Sequence, residues 1–224
     1  MLDNRGNLLP VYVLADESGS MAGHIDDLNA GLRSLHTTLL GEPMAAAKVR
    51  FSVLGFADDV VVRLALADLR HENELPLLSA RGTTSYLAAF TALLERLPND
   101  IATLKAEGYQ VHRPAVFFMS DGVPNNEDWR SAHRKLTDRS VTKGAPNIIS
   151  CGIGDAEAST ILSVATDPQF AFVSVPGTDL GQSISTFCSS LTKSVVESGR
   201  SLASGDAQLI VDRPEGFTMA IDVI

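Results

Sequence analysis

Three short stretches of this chain carry oxygen-bearing side chains at spacings that suit a hard cation. In Asp16-Glu17-Ser18-Gly19-Ser20, one carboxylate and two hydroxyls recur at two-residue intervals, and Gly19 lets the backbone curl them around a point. Gly82-Thr83-Thr84-Ser85 supplies further hydroxyls, and Ser120-Asp121-Gly122 a second carboxylate. Asp16, Ser18, Ser20, Thr84 and Asp121 together offer five oxygen-bearing side chains, which leaves room for a sixth ligand around a divalent ion. Each cluster alone has a plainer reading, because Ser, Thr, Asp and Gly are the ordinary residues of helix caps and turns. The metal reading rests on the three clusters meeting.

Whether they meet depends on the elements around them. Val11 to Ala15 is a continuous apolar run rich in strand formers, which predicts a strand covered on both faces. Ile25, Leu28, Leu32, Leu35 and Leu39 then recur at helical spacing until Gly41-Glu42-Pro43. Val49–Phe56 and Val60–Leu66 flank Asp58 and Asp59, predicting an antiparallel hairpin at a sheet edge with the two acids in a solvated turn. Leu87–Leu97 is helical, and Asp100–Glu107 adds a turn or two. Pro114–Met119 and Asn147–Ile153 predict two more buried strands and Phe170–Val175 a last one. Trp129–Lys143, Ala158–Ala165 and Leu180–Ser198 predict helices. This alternation is that of an α/β fold: a Rossmann-like three-layer sandwich, mostly parallel, with one antiparallel edge strand and helices on both faces. In such a sheet all three oxygen clusters fall on one rim, at the carboxyl ends of the strands.

Asp-x-Ser-x-Ser after a strand, Gly-x-Thr-Ser at a helix start and a strand-terminal Ser-Asp-Gly resemble the motifs of the von Willebrand factor A domain. In that family they form the metal-ion-dependent adhesion site. The likeness runs from about Leu9 to Ser198. It implies direct ligation by the hydroxyls of Ser18 and Ser20 and by Thr84 or, in exchange, Asp121, with Asp16 and Asp121 otherwise acting through water. It also implies Mg²⁺ or Mn²⁺ as the ion and an acidic side chain of a partner protein as the sixth ligand. Thr83 competes with Thr84 for the threonine role, but the family frame places Gly82, Thr83, Thr84 and Ser85 so that Thr84 takes it. Ser120-Asp121-Gly122-Val123-Pro124 with Glu127-Asp128-Trp129 is similar to the bacterial TerY-like branch, associated with tellurite-resistance and stress gene clusters, whose members act as scaffolds inside the cell.

Composition narrows the alternatives. The 224 residues are 45% hydrophobic and 20% charged, enough apolar surface for a core, and carry a net charge of −9, which repels nucleic acid and anionic lipid. Two cysteines, Cys151 and Cys188, are too few for a disulfide framework and read as reduced and packed. Met1–Asn7 lacks the start of a signal peptide, and there is no apolar run long enough for a membrane span, so a cytoplasmic protein is expected. Nothing in the sequence specifies an oligomeric state. The main rival to a binding module is a Mg²⁺- or Mn²⁺-dependent phosphohydrolase. No Gly-x-Ser-x-Gly elbow or nucleotide-binding Gly-x-x-x-x-Gly-Lys loop supports it, and Gly152-Ile153-Gly154 is followed by Glu157 where a dinucleotide loop needs a small residue. His24, His36, His71, His112 and His133 are scattered and read as surface or capping residues, with His24 alone close to the proposed site. Residues 1–198 are expected to form the domain and 199–224 a tail of linker or added strands, with Gln208–Val211 and Phe217–Ile224 strand-like.

Overall fold

The computed structural model describes residues 5–222. An eight-stranded sheet is built from β1 (Asn7–Asp16), β2 (Val49–Phe56), β3 (Val60–Ala67), β4 (Gln110–Val111), β5 (Ala115–Ser120), β6 (Asn147–Gly152), β7 (Ala171–Ser174) and β8 (Phe217–Met219). Its order is β3-β2-β1-β5-β6-β7-β8, with the short β4 pairing beside the start of β1. The pairs β1–β2, β1–β5, β5–β6 and β6–β7 are parallel. Both edges are antiparallel, β3 against β2 and β8 against β7, so the expected single antiparallel edge strand becomes two. The last strand comes from the far end of the chain, where Phe217 is buried and Ser174, Val173 and Phe172 pair with 217–219.

Helices cover both faces, as the alternation predicted. On one side lie α1 (Ile25–Leu40), α2 (Pro43–Ala46) and α6 (Leu180–Ser204); on the other α3 (Tyr86–Ala106), α4 (Trp129–Thr137) and α5 (Ala158–Val164). The central strand shows why the run is continuously apolar: Val11, Val13 and Ala15 pack with Leu28, Leu32 and Phe187, while Tyr12 and Leu14 pack with Phe90 and Phe118. The second face is aromatic. Tyr86 lies edge-on to Phe118 at 4.9 Å and to Trp129 at 5.5 Å, and Trp129 is buried among these rings. Among the described residues no helix is long and apolar enough to cross a membrane.

Several boundaries move for identifiable reasons. Leu87–Leu97 and Asp100–Glu107 belong to one helix through Pro98, because the buried stripe Phe90, Leu93, Leu97 and Leu104 continues past it. α4 stops at Thr137 and not Lys143: Asp138 turns its carboxylate onto the N–H and hydroxyl of Ser140, a local alternative to the helix. α6 runs on to Ser204, because Gly199 is buried against Ala45 of α2 and is a packing residue. The stop is Gly205, at φ +89°, whose N–H caps the Leu202 and Ser201 carbonyls. Gln208–Val211 is extended but forms no ladder. It lies along α6, where Ser194 Oγ accepts from the Asp212 N–H and Ser198 Oγ from the Ile210 N–H, so helix serines replace a neighbouring strand. His36 and His133, expected as surface or capping residues, are drawn inward: His36 is buried, its Nε2 3.1 Å from the Leu69 carbonyl, and the half-buried His133 packs on Phe90 and Trp129.

Gly199 yields a sign-reversed prediction. A helix-interior Gly→Ala change ordinarily stabilises by about 1 kcal/mol. Here the added Cβ would stand 2.9 Å from the Ala45 carbonyl oxygen and 3.0 Å from its Cα, so Gly199→Ala is expected to lower the urea midpoint.

Candidate metal centre

The strand order reverses between β1 and β5, with α1 leaving β1 over one face and α3 entering β5 from the other, and in an open α/β sheet the crevice at the carboxyl ends belongs at such a reversal. Asp16 ends β1 and Ser120 ends β5, and the Ser120 hydroxyl donates to Asp16 Oδ2 at 2.6 Å across that crevice. Asp16 Oδ1 accepts the Ser18 N–H at 2.8 Å, turning the chain so that Ser18 and Ser20 face each other, Oγ to Oγ, at 3.0 Å. Ser20 Oγ in turn donates to Asp121 Oδ1 at 2.9 Å. Residues 105 positions apart in sequence thus form one chain of contacts from Asp16 through Ser18 and Ser20 to Asp121.

Thr84 reaches the same rim. Its hydroxyl lies 3.5 Å from where a Cβ on Gly122 would stand, its carbonyl accepts the Asn125 N–H, and among the described residues that hydroxyl has no hydrogen-bond partner. Thr83 is occupied elsewhere: its N–H and hydroxyl donate to Asp58, and Asn125 donates to its oxygen at 2.8 Å. Ser85 caps α3, accepting the Ala88 N–H at 3.0 Å. All five residues expected at the site are therefore at one rim, four of them in a single hydrogen-bonded chain.

The electrostatics are unusual for a closed fold. Asp16 is fully buried, and burial pushes its carboxyl up to about 6, with the nearby Asp121 adding to the rise. Burial likewise raises Asp121; Asp155 adds to this, while the hydroxyl of Ser20 and the nearby His24 oppose it. His24 precedes α1 and sits 3.4 Å from Asp27. Among the described residues no three His, Cys, Asp or Glu side chains gather around one point. The donors that converge are hydroxyls with two carboxylates, an all-oxygen set that suits a hard divalent ion.

Glu17 is the counter-example, and it was missed as a functional position. It is as buried as Asp16, but Arg63 grips it with two N–H groups at 2.8 and 3.0 Å, Arg81 Nε donates at 2.9 Å and the Ser79 N–H at 3.0 Å. Arg81 also reaches the carboxylate of Asp59 and the Gly55 carbonyl. Asp58 and Asp59 are thus more than a solvated turn: one holds Thr83 and the other Arg81, so the hairpin fixes the loop that presents Thr84. Gly82, at φ +54°, is required there because a Cβ would fall 2.1 Å from Asp58 Oδ2. A signal for Glu17 existed in the sequence. Adjacent strand residues point to opposite faces, so Asp16 and Glu17 cannot share a site, and a second buried carboxylate demands cations of its own.

No family model matches this sequence, and no curated protein does. Solved structures do match. Proximal thread matrix protein 1 from the mussel byssus superposes with a TM-score of 0.60 at 16% identity, covering 86% of this chain and 49% of that one. The pilus adhesin SpaC of Lactobacillus rhamnosus GG gives 0.63 at 12% identity, over 87% of this chain and 30% of the adhesin. A von Willebrand factor type A protein of Catenulispora acidiphila gives 0.52 at 15% identity, over 85% and 43%. The fold is that of a von Willebrand factor A domain. This chain spans half or less of each of those proteins. One structure of the mussel protein has zinc in its metal-ion-dependent adhesion site, matching this chain at 16% identity and a TM-score of 0.60 over 86% and 48%.

In this von Willebrand A fold, Glu17 ties β1, β3 and the 79–82 loop together. Glu17→Ala leaves two guanidiniums without their carboxylate and is expected to cost about 3 kcal/mol or more, read from urea unfolding at unchanged m.

Proposed function

We propose that this chain is a divalent-metal-dependent protein-binding module. Asp16, Ser18, Ser20, Thr84 and Asp121 would hold one Mg²⁺ or Mn²⁺, and an acidic side chain of a partner protein would complete its coordination. The observation that carries this reading is the contrast between two buried acid sites a residue apart: Glu17 has two arginines, whereas the pair Asp16 and Asp121 has hydroxyls and, among the described residues, no Lys or Arg. A bound cation supplies the missing positive charge and an electrophilic position for an incoming carboxylate. The unpartnered Thr84 hydroxyl at the same rim supports it further.

The remaining residues divide the work. Ser120 and the Ser18 N–H orient Asp16, the Glu17–Arg81–Asp59 network and Asp58 fix the loop bearing Thr84, and the Tyr86 hydroxyl, whose ring packs on Trp129, reaches the Gly122 carbonyl in the loop bearing Asp121. The solved structures with this fold include a matrix protein and an adhesin, which favours interaction over turnover. On the resemblance of Ser120–Pro124 and Glu127–Trp129 to the TerY-like branch, we place the module inside a bacterial cell, as a scaffold in a stress or tellurite-resistance-type system.

Calorimetric titration of Mg²⁺ and Mn²⁺ tests the site. Wild type is expected to bind one ion per chain and the Ser18→Ala, Ser20→Ala double variant none; equal affinities would remove the site. Hydrolysis of a generic phosphate ester with Mn²⁺, abolished by Asp16→Ala, would instead establish the phosphohydrolase. Capture of a partner should disappear in EDTA, and capture that survives EDTA contradicts the metal bridge.

A further inference from the structure

At the end of the sheet away from the acidic rim, a cavity of about 520 Å³ opens between the C-terminal half of α3, the segment running from β4 into β5, and the turn before β6. Leu94, Pro98 and Ile101 of α3 form an apolar wall, with Val111, Pro114 and Val141 opposite. Lys105, His112, Arg113 and Lys143 also line it, and no Asp or Glu does. In a chain of net charge −9 that is a local reversal of sign.

These cations are not spoken for. Arg50, Arg63, Arg70, Arg81, Lys193 and Arg200 all sit in ion pairs, but among the described residues none of Lys105, Arg113, Lys143 and the neighbouring Arg139 does. Arg113 is half-buried and gives one nitrogen to the Ala145 carbonyl, leaving donors unused; burial and the nearby Arg139 both disfavour its charge. An anion there would relieve both penalties.

We propose that this cavity binds a small amphipathic organic anion, a carboxylate or phosphate on an aliphatic or aromatic body. Lys105, Arg113 and Lys143 hold the acid group, and Leu94, Pro98 and Ile101 receive the body. The volume is in the range of small-molecule pockets, and an apolar lining with a few convergent polar groups is their usual make-up. The site lies at the opposite end of α3 from Thr84 and does not depend on the metal centre.

Calorimetry on the full chain tests it, with sodium octanoate and octyl phosphate as probes and 1-octanol and inorganic phosphate as the two halves of the ligand. Saturable binding of one molecule per chain is expected for at least one anion, with each half-ligand weaker by about tenfold or more. Two variants avoid the half-buried arginine. Lys105→Ala with Lys143→Ala removes exposed charges, and Ala102→Phe keeps every charge while filling the mouth; each should weaken binding by about tenfold. Ser18→Ala, Ser20→Ala should bind the probe as wild type does, which separates this site from the metal centre. The proposal is overturned if neither anion saturates, if both cavity variants bind like wild type, or if octanol or inorganic phosphate binds as tightly as the better anion. Whichever anion binds more tightly identifies the acid group.

Discussion

Two buried carboxylates brought together with no Lys or Arg partner among the described residues are the constraint around which this molecule is arranged. Taking one charge out of water is costly, and placing a second beside it costs more. The protein meets that cost only in part, with the Ser18 N–H and the Ser20 and Ser120 hydroxyls. One residue past the end of the same strand, Glu17 is treated in the ordinary way, with two guanidiniums and a backbone N–H. The chain therefore has the means to neutralise a buried acid here and does not use them at Asp16 and Asp121. A site left short of positive charge and rich in hydroxyl oxygen is what a hard divalent ion requires.

The fold creates this place by topology. Reversal of strand order between β1 and β5 separates the loops after these strands, and α1 and α3 leave the crevice on opposite faces. Close backbone approach then sets the fine positions. Gly55 leaves room for the Glu17 carboxyl, which a Cβ would meet at 2.2 Å, and Gly82 leaves room for Asp58. Away from the rim, Gly31 against Cys188 and Gly199 against Ala45 let α1 and α2 lie close to α6. The chain after Gly205 returns along the serines of α6 and ends by pairing β8 with β7, covering what would otherwise be an open sheet edge.

Much of this was legible in the sequence because it depends on local pattern. Apolar runs such as Val11–Ala15 mark strands buried on both faces, and the placement of the Asp16, Thr84 and Asp121 clusters after strands or before helices follows from alternation alone. What escaped was whatever depends on tertiary partners. Gly199 resembles a helix stop until Ala45 is seen against it, and Asp58 and Asp59 resemble a solvated turn until Thr83 and Arg81 are seen reaching them. Ser194 and Ser198 read as ordinary polar residues of the last helix, yet they stand in for a β partner. Asp138 ended α4 early through a contact with Ser140 that propensity does not weigh. His36 and His133 carry no sequence sign of the carbonyl and aromatic contacts that bury the first and half-bury the second.

Anomalous diffraction from crystals grown with Mn²⁺ bears most directly on the charge deficit at the rim. A single strong peak among Asp16, Ser18, Ser20, Thr84 and Asp121, with hydroxyl oxygens of Ser18 and Ser20 in its coordination sphere, is the expected result. Density without any such peak at saturating Mn²⁺, with the Ser18–Ser20 and Ser20–Asp121 contacts intact, would contradict it.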